Sequence, residues 1–314
     1  MPRIPMLFPG QASQSVGMAA DLLAAGGTAA EFLRSVNDLV GIDLVGIMTA
    51  GPAEILTETR NAQPAILAHS VAVTLALGDL GVLPSIVAGH SLGEFSAAVA
   101  CSALCPEDAV RTVRRRGELM WTAGQEIPGT MAAVMGLSGA QVAEVCAGID
   151  GVVVPANHNS DNQVVISGEI AAVAAAGEAL KAAGAKRVAP LNVSGAFHSP
   201  LLEGAATAFR AFLDSIAVHD PAVPLVANVS AEPVTAAAAL REGFARQLTA
   251  PVLWHDTMER ICGGDHRPRV VLEVGPGKVL TGLARRAYPD VTFVPVGTVE
   301  DLEGLPAVLA AHAG

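Results

Sequence analysis

Ser91 is the residue whose sequence surroundings most clearly suggest chemistry. It lies in the segment 89–93, Gly-His-Ser-Leu-Gly, which fits the pattern G-x-S-x-G. The apolar run 86–88 before it predicts a buried strand, and the small residues of 94–100 after it predict a helix. A sharp strand-to-helix turn holds a serine hydroxyl at a helix N-terminus, where backbone N–H groups can face a developing oxyanion. The pattern predicts a nucleophilic serine, and the alternative is a tight turn without chemistry.

A serine needs a base to become a nucleophile, because its hydroxyl keeps its proton at neutral pH. Among eight histidines, His198 is the best candidate, since it lies in a short Ala-Phe-His-Ser-Pro loop between a predicted strand and a predicted helix. Serine before histidine is also the chain order of α/β-hydrolases. The alternative is a polar loop residue without a catalytic role. Six other histidines are interpreted as structural or solvated: His69, His158, His219, His255, His266 and His312.

No acidic residue between Ser91 and His198 stands out as the third member of a triad. A backbone carbonyl can also hold one imidazole tautomer, so the base does not require an acid. The missing acid nevertheless makes an ordinary esterase a less favoured interpretation.

Three consecutive arginines, Arg114, Arg115 and Arg116, fall within a predicted helix. They cannot all face a core, so we expect at least two of them to face solvent. One directed inward would bring a guanidinium that can bind a carboxylate through two hydrogen bonds, and the alternative is a solvated basic face. Gln11, in a polar turn after the first predicted strand, could lend a backbone N–H to an oxyanion or belong only to the turn.

The composition excludes several classes of protein. Hydrophobic residues make up 51% of the 314 residues and charged residues only 16%, so we expect a folded chain. The net charge of -11 argues against nonspecific nucleic-acid binding, which needs Lys and Arg to neutralise phosphates. The apolar stretches are too short for a signal peptide or a membrane span. We expect a cytoplasmic, monomeric protein without metal or cofactor, and reduced thiols at Cys101, Cys105, Cys146 and Cys262.

The elements that must position these residues alternate between strands and helices. Helices are predicted at 18–25, 29–40, 64–80, 94–101, 106–123, 139–147, 170–183, 201–215, 237–248, 254–262 and 278–287. Beside the strand at 86–88, strands are predicted at 130–137, 152–156, 163–167, 186–193, 224–228, 270–274 and 291–296. The order β-α-β-β-α-β within 128–196 is ferredoxin-like. We therefore predict an α/β fold, with an α/β-hydrolase-like large domain (1–127 and 197–314) and an inserted ferredoxin-like subdomain (128–196).

Seven motifs along essentially the whole chain resemble, in order, those of the malonyl-CoA:acyl-carrier-protein transacylases. They are Phe-Pro-Gly-Gln-Ala-Ser-Gln at 8–14, Gln-Pro-Ala at 63–65, Gly-His-Ser-Leu-Gly-Glu at 89–94, Arg-Gly-Glu-Leu-Met at 116–120, Asn-Ser-Asp-Asn-Gln-Val-Val-Ile-Ser-Gly at 159–168, Phe-His-Ser at 197–199 and Val-Gly-Pro-Gly-Lys-Val-Leu at 274–280. Two positions depart from the pattern. Ala12 replaces a glycine, and Thr-Ala-Pro at 249–251 replaces the Tyr-Asn-Pro near which a backbone carbonyl orients the family's histidine.

The resemblance implies a role for each matching residue. It implies that Ser91 accepts the acyl group, that His198 is its general base, and that the backbone N–H groups of Gln11 and Leu92 form an oxyanion hole. Arg116 is implied to pair with the free carboxylate of the malonyl group.

Three further residues match family positions. Phe197 matches the pattern associated with malonyl rather than methylmalonyl selection, and Gln63 and Asn159 match positions near the site. The implied reaction is a two-stage transfer of malonyl from malonyl-CoA to the phosphopantetheine thiol of an acyl carrier protein, in fatty-acid or polyketide synthesis. The rival interpretations are a serine esterase or thioesterase, which has no need of a buried arginine, and a carrier-binding module without catalysis.

The implied carrier protein is usually acidic in this family, and the chain itself is acidic. We therefore expect a local basic docking patch on its surface. The candidate residues are Lys181, Lys186, Arg187, Lys278, Arg285 and Arg286.

Overall fold

Two β-sheets with their covering helices form the part of the chain that the structure, a computed structural model, describes: residues 2–264 and 267–312. The strands in these ranges are β1 (Arg3–Phe8), β2 (Leu83–Gly89), β3 (Gly129–Met135), β4 (Val153–Ser160), β5 (Gln163–Glu169), β6 (Arg187–Pro190), β7 (Leu225–Val226), β8 (Pro233–Val234), β9 (Val270–Val274) and β10 (Thr292–Val296). The first seven helices are α1 (Ala20–Ala25), α2 (Gly27–Val40), α3 (Leu44–Ala50), α4 (Ala53–Thr57), α5 (Thr59–Asp79), α6 (Gly93–Ala100) and α7 (Pro106–Glu126). The remaining helices are α8 (Gly139–Ala147), α9 (Ile170–Ala182), α10 (Glu203–Leu213), α11 (Ala237–Arg246), α12 (Trp254–Cys262), α13 (Val279–Ala284) and α14 (Val299–Ala311), with a single 3-10 turn at Pro200–Leu202.

The six-stranded sheet has the order β10-β9-β1-β2-β7-β8, and its first five strands are parallel. β9 is buried along its whole length, as expected for a parallel strand covered on both faces. In the centre, Phe8 at the end of β1 pairs with Gly89 at the end of β2. The loops that follow these two strands therefore leave from the same edge of the sheet, which is where ligands bind in open α/β sheets.

The four-stranded sheet is antiparallel and has the order β4-β5-β3-β6. Its side chains alternate between two faces, as the pleat of a strand requires. On β3, Ala132 and Val134 belong to the core beneath α8 and α9, whereas Met131 and Ala133 join the main core of the molecule. Backbone hydrogen bonds connect this sheet to the segment before α12: Val252 donates to Ala156 and accepts from His158, each at 2.9 Å.

The helix predicted at 64–80 begins earlier, at Thr59, and contains Pro64 in its interior. A proline removes one helical hydrogen bond, here the bond to the carbonyl of Arg60. The side chain of Arg114 replaces that bond, because its Nη1 donates to the Arg60 carbonyl at 2.8 Å. A contact distant in sequence thus makes the proline tolerable inside the helix.

Other elements also differ from the prediction. The short helices α3 and α4 and the final helix α14 were not predicted. β4 and β5 extend closer together than expected, so their turn consists of 161–162 rather than 157–162. The strand predicted at 186–193 is limited to β6, and the next three residues line a cavity instead.

None of the helices in the described ranges combines the length and the apolar composition that crossing a membrane requires. The cytoplasmic location and the monomeric state stay predictions. His266, interpreted above as structural or solvated, lies outside the described residues.

Candidate active site

Ser91 follows β2 with a φ of 51°, in the left-handed region that residues with side chains rarely adopt. The two glycines of its motif are required by close backbone contacts. A Cβ on Gly89 would overlap the backbone of Gly93, and a Cβ on Gly93 would overlap the carbonyl oxygen of Phe8. The turn is therefore held tightly against the end of β1, with the serine at its apex.

His198 lies beside the serine, with its Nε2 2.8 Å from Oγ of Ser91. Its Nδ1 lies 2.8 Å from the carbonyl oxygen of Gln247 and 3.2 Å from that of Ala250. Because carbonyl oxygens only accept, Nδ1 carries the proton and Nε2 is left to accept from the serine. Burial, with the positive charge of Arg116 as the second cause, lowers the pKa of His198 to about 3. The imidazole is thus neutral and correctly oriented to take a proton from the hydroxyl.

Arg116, on α7, is completely buried next to the same hydroxyl. Its Nη1 donates to Oε1 of Gln63 at 2.6 Å, and its Nη2 donates to Oε1 of Gln247 at 2.8 Å and to Oγ of Ser91 at 3.2 Å. Its Nε has no hydrogen-bond partner among the described residues. Burial lowers the pKa of Arg116 to about 9, against the opposing effect of the Glu94 charge. The site therefore holds a guanidinium that is charged at neutral pH.

Asn228 and Gln247 hold the backbone of the serine, and neither was predicted to be a site residue. Oδ1 of Asn228 accepts from the N–H of Ser91 at 2.8 Å, and its Nδ2 donates to the carbonyl of Gly89 at 2.6 Å. Nε2 of Gln247 donates to the carbonyl of Ser91 at 3.0 Å. Asn228 stands at the end of the strand predicted at 224–228, and that position in a parallel sheet was a usable signal. Nothing in the sequence marked Gln247.

Glu94, on the first turn of α6, is a buried carboxylate that joins these two residues. It accepts from the N–H of Asn228 at 3.1 Å and from Nε2 of Gln247. Burial raises the pKa of Glu94 to about 7, and these hydrogen bonds and the charge of Arg116 act in the opposite direction.

A cavity of about 620 Å³ opens above Ser91 and lies between the two sheets. Gln11, in the turn after β1, and Leu92, in the turn after β2, line it on the side of the six-stranded sheet. Both residues lie outside helices and strands, and the N–H of neither donates to an acceptor in the part of the chain that the structure describes. Met131 and Val165 line the opposite side.

The structure also brings the remaining predicted site residues to this cavity. Gln63 lines it and contacts Arg116 from α5. Phe197 is a buried part of the lining beside the catalytic candidates. Asn159, on β4, also lines it, with its Oδ1 2.9 Å from Nε2 of His90.

The three arginines occupy three different environments, and the expectation that at least two face solvent is wrong. Arg116 is buried, whereas 44% of the Arg115 side chain is exposed. Only 16% of the Arg114 side chain is exposed, because it pairs with Glu118 at 2.7 Å and reaches α5. The carbonyl released by Pro64 explains why this second arginine is drawn inward.

Known proteins resemble this chain along nearly its full length. The family model described as acyl transferase domain matches residues 6–303. A malonyl CoA-acyl carrier protein transacylase from Staphylococcus aureus is 39% identical over 97% of this chain and 98% of its own. The Salmonella typhimurium protein of the same name is 43% identical over 93% of this chain and 95% of its own.

A solved structure extends the likeness to three dimensions. It is a malonyl-transacylase in complex with its type II PKS acyl-carrier protein, with a TM-score of 0.91 and 39% identity over 96% of this chain and 98% of its own. Together with the family model and the two relatives, this likeness covers nearly the full length of the chain. The chain therefore belongs to the malonyl-CoA:acyl-carrier-protein transacylase family.

Proposed function

We propose that this chain transfers a malonyl group from malonyl-CoA to the phosphopantetheine thiol of an acyl carrier protein through an ester on Ser91. The observation that carries the proposal is a double contact at one oxygen. Oγ of Ser91 lies 2.8 Å from Nε2 of His198 and 3.2 Å from Nη2 of Arg116. A base and a carboxylate-binding cation thus meet at the same hydroxyl.

In the first stage, His198 takes the proton of Ser91 as Oγ attacks the thioester carbonyl. The negative oxygen of the tetrahedral intermediate is stabilised by the N–H groups of Gln11 and Leu92, and one such donor typically contributes about 3–4 kcal/mol. The C–S bond then breaks, and CoA leaves with the proton from the imidazolium. In the second stage, the carrier thiol gives its proton to His198, attacks the ester, and takes the malonyl group while Ser91 regains its proton.

Arg116 is the group that distinguishes malonyl from uncharged acyl groups in this proposal. Its guanidinium is shielded from water, so an ion pair with the malonyl carboxylate is stronger there than at a surface. Its Nη2, which contacts Oγ of Ser91, is the donor that lies nearest to the site of the acyl group.

Three lining residues shape the space around the acyl group. Gln63 fixes the Nη1 end of Arg116, and Phe197 restricts the room beside the serine, which disfavours branched acyl groups. Asn159, on β4, adds a polar group to the lining and is hydrogen-bonded to His90.

The carrier protein is proposed to dock on basic residues next to the cavity mouth. Lys278, Arg285 and Arg286 are exposed on and around α13, and residues of that helix line the cavity. Lys186 and Arg187 are exposed at the start of β6. Lys181 completes the candidate patch but is paired with Glu178 at 2.7 Å, which reduces its contribution.

The finer architecture is part of the same proposal. We assign 1–127 and 197–314 to an α/β-hydrolase-like large domain and 128–196 to a ferredoxin-like insertion. The strand-to-helix turn at Ser91 supports the first assignment. The order β4-β5-β3-β6 with two helices on one face supports the second.

Incubation with malonyl-CoA alone, followed by intact-protein mass spectrometry, tests the reaction. We expect one malonyl group per chain, mapped to Ser91 by peptide analysis, and its discharge on addition of a carrier protein bearing phosphopantetheine. Ser91→Ala should carry no label, whereas Ser96→Ala, which removes another buried serine of the same region, should be labelled normally. Continuous release of free malonate without an ester would identify a hydrolase instead. An active Ser91→Ala variant would refute the covalent route.

Charge reversal tests the docking patch. Arg285→Glu should raise the KM for carrier protein severalfold, because surface charges mainly change association, and should leave the KM for malonyl-CoA unchanged. Arg34→Glu on α2 introduces the same change in charge at an exposed position and serves as the matched control. Equal changes in both KM values would show that the patch is misplaced.

A further inference from the structure

Glu94 is a buried ionisable group that no step of the proposed reaction uses. None of its surface is exposed, although it lies only three residues after Ser91. Burying a carboxylate is unfavourable unless fixed donors compensate for the lost water. The donors that compensate here are the N–H of Asn228 and Nε2 of Gln247. Both residues also hold the backbone of Ser91: Oδ1 of Asn228 accepts from its N–H, and Nε2 of Gln247 donates to its carbonyl.

The contact with Gln247 determines which end of that amide faces which neighbour. Above its pKa of about 7, the Glu94 carboxylate can only accept hydrogen bonds, so the NH₂ of Gln247 points toward it. Its oxygen then points the other way, where it accepts from Nη2 of Arg116 at 2.8 Å. If the amide rotated by half a turn, its NH₂ would face the guanidinium and two donors would oppose each other.

Charge reinforces this arrangement. Glu94 is the acidic group whose charge acts on Arg116, and it opposes the loss of the arginine's proton that burial favours. The carboxylate therefore acts on the guanidinium both directly, by charge, and through the orientation of Gln247.

We propose that Glu94 is a positioning residue that, through the side-chain amide of Gln247, holds Arg116 ready for a carboxylated acyl group and so sets the preference for malonyl over acetyl. The inference rests on the proposed function, because it assigns to Arg116 the binding of the malonyl carboxylate. Glu94 itself touches neither the substrate nor the reacting atoms.

Glu94→Gln is the direct test. Only the oxygen of the introduced carboxamide accepts hydrogen bonds, so its two ends cannot accept from both Asn228 and Gln247. The N–H of Asn228 belongs to the backbone and cannot turn away, so the side chain of Gln247 is the partner that rotates. We expect the ratio of kcat/KM for malonyl-CoA to that for acetyl-CoA to fall by about tenfold to a hundredfold, the range for a hydrogen bond to a charged group. Acetyl loading should change less, since an acetyl group does not need Arg116. Rotation of Gln247 also removes its hydrogen bond to the Ser91 carbonyl, but that loss acts on both acyl donors alike and cancels in the ratio.

Glu273→Gln is the matched control. Glu273 is also completely buried and accepts two backbone hydrogen bonds, from Leu280 at 2.9 Å and Thr281 at 2.7 Å. Its loss is expected to lower stability without altering the malonyl-to-acetyl ratio.

A second pair of variants separates positioning from a general weakening of the fold. In an Arg116→Ala background, Glu94→Gln should have no further effect on the ratio, because Glu94 affects the ratio only through Arg116. If Glu94→Gln does not fold, Gln247→Met carries the same test, since it removes the amide but keeps the carbonyl that holds His198. It should lower the ratio as well.

The possible outcomes distinguish this inference from the proposed function. A wild-type chain that forms no malonyl ester would refute both. Normal malonyl loading with an unchanged ratio in Glu94→Gln or Gln247→Met, or an additive effect in the Arg116→Ala background, would overturn the inference alone.

Discussion

The two sides of the cavity differ in how their side chains are held. On the side of the six-stranded sheet, Ser91, His198 and Arg116 are each fixed by several hydrogen bonds. On the side of the four-stranded sheet, the polar residue Asn159 lies at the edge that contacts His90, whereas Met131 and Val165 present apolar side chains that only pack. We refer to these as the hydrogen-bonded wall and the packed wall. In the proposed reaction, the hydrogen-bonded wall would carry the chemistry, where small displacements are costly, and the packed wall would limit the shape of the acyl group.

The largest expected effect is on the hydrogen-bonded wall. His198→Ala should slow malonyl loading of Ser91 by about 10²- to 10⁴-fold, because no other base is within reach of the hydroxyl in the described residues. Rapid-quench mass spectrometry measures this rate. His69→Gln is the control, since His69 is equally buried but packs against Gly297 away from the serine. A comparable loss in both variants would mean that the effect is not specific to the site.

Removal of the guanidinium should produce a smaller but selective effect. Arg116→Ala is expected to lower kcat/KM for malonyl-CoA by about a hundredfold, since truncating one partner of a buried charge pair typically costs several kcal/mol. Loading from acetyl-CoA should fall much less. Arg115→Ala, which removes the exposed neighbour, should change neither rate. Competition between the two donors gives the ratio directly, and an unchanged ratio would remove the carboxylate role.

On the packed wall, truncation should change selectivity without loss of chemistry. Met131→Ala should leave malonyl loading within about threefold of wild type, because a removed methionine costs packing rather than a hydrogen bond. It should improve loading from methylmalonyl-CoA, which needs more room. Val134→Ala on the opposite face of β3 is the control for stability. A collapse of malonyl loading in Met131→Ala would break the distinction between the two walls.

The smallest effect on the loading rate is expected when the pH is lowered. The pKa of His198 is lowered to about 3, so its imidazole remains neutral as the pH falls through the usual histidine range near ~6.5. Loading from acetyl-CoA, which does not depend on the state of Arg116, should stay constant between about pH 8 and pH 5. Glu94, with a pKa of about 7, titrates in the same range, so the profile is measured in Glu94→Gln as well. An inflection near the ordinary histidine pKa that persists in this variant would show that the base is more exposed to water than this geometry allows.

Local sequence was sufficient to predict the turn at Ser91, because its glycines and its flanking strand and helix are all determined within a few residues. The four strands of the four-stranded sheet were also predicted near their positions along the chain, because each is an apolar run bounded by nearby residues, although β6 is shorter than expected. The α/β class follows from this alternation and agrees with the solved relatives.

Contacts distant in sequence could not be predicted from one chain. Pro64 looked like the start of a helix, because the side chain that repairs the missing hydrogen bond comes from Arg114 on α7. Gln247 showed no signal, since its importance comes from meeting Ser91, Glu94 and Arg116 only after folding. The residues that could be named were those in local motifs, and the residues that hold them in place could not.

The proton on Nδ1 of His198 is shared with two carbonyl oxygens rather than with a carboxylate, and this should affect the lifetime of the ester. Burial and the charge of Arg116 make this imidazole a weak base, and two neutral carbonyls oppose them less than a carboxylate would. A thiol with a pKa near ~8.5 loses its proton to a weak base far more readily than water, with a pKa of ~15.7. The loaded enzyme should therefore survive many encounters with solvent and still react promptly with a carrier thiol. In this way the acceptor behind the histidine favours transfer over hydrolysis.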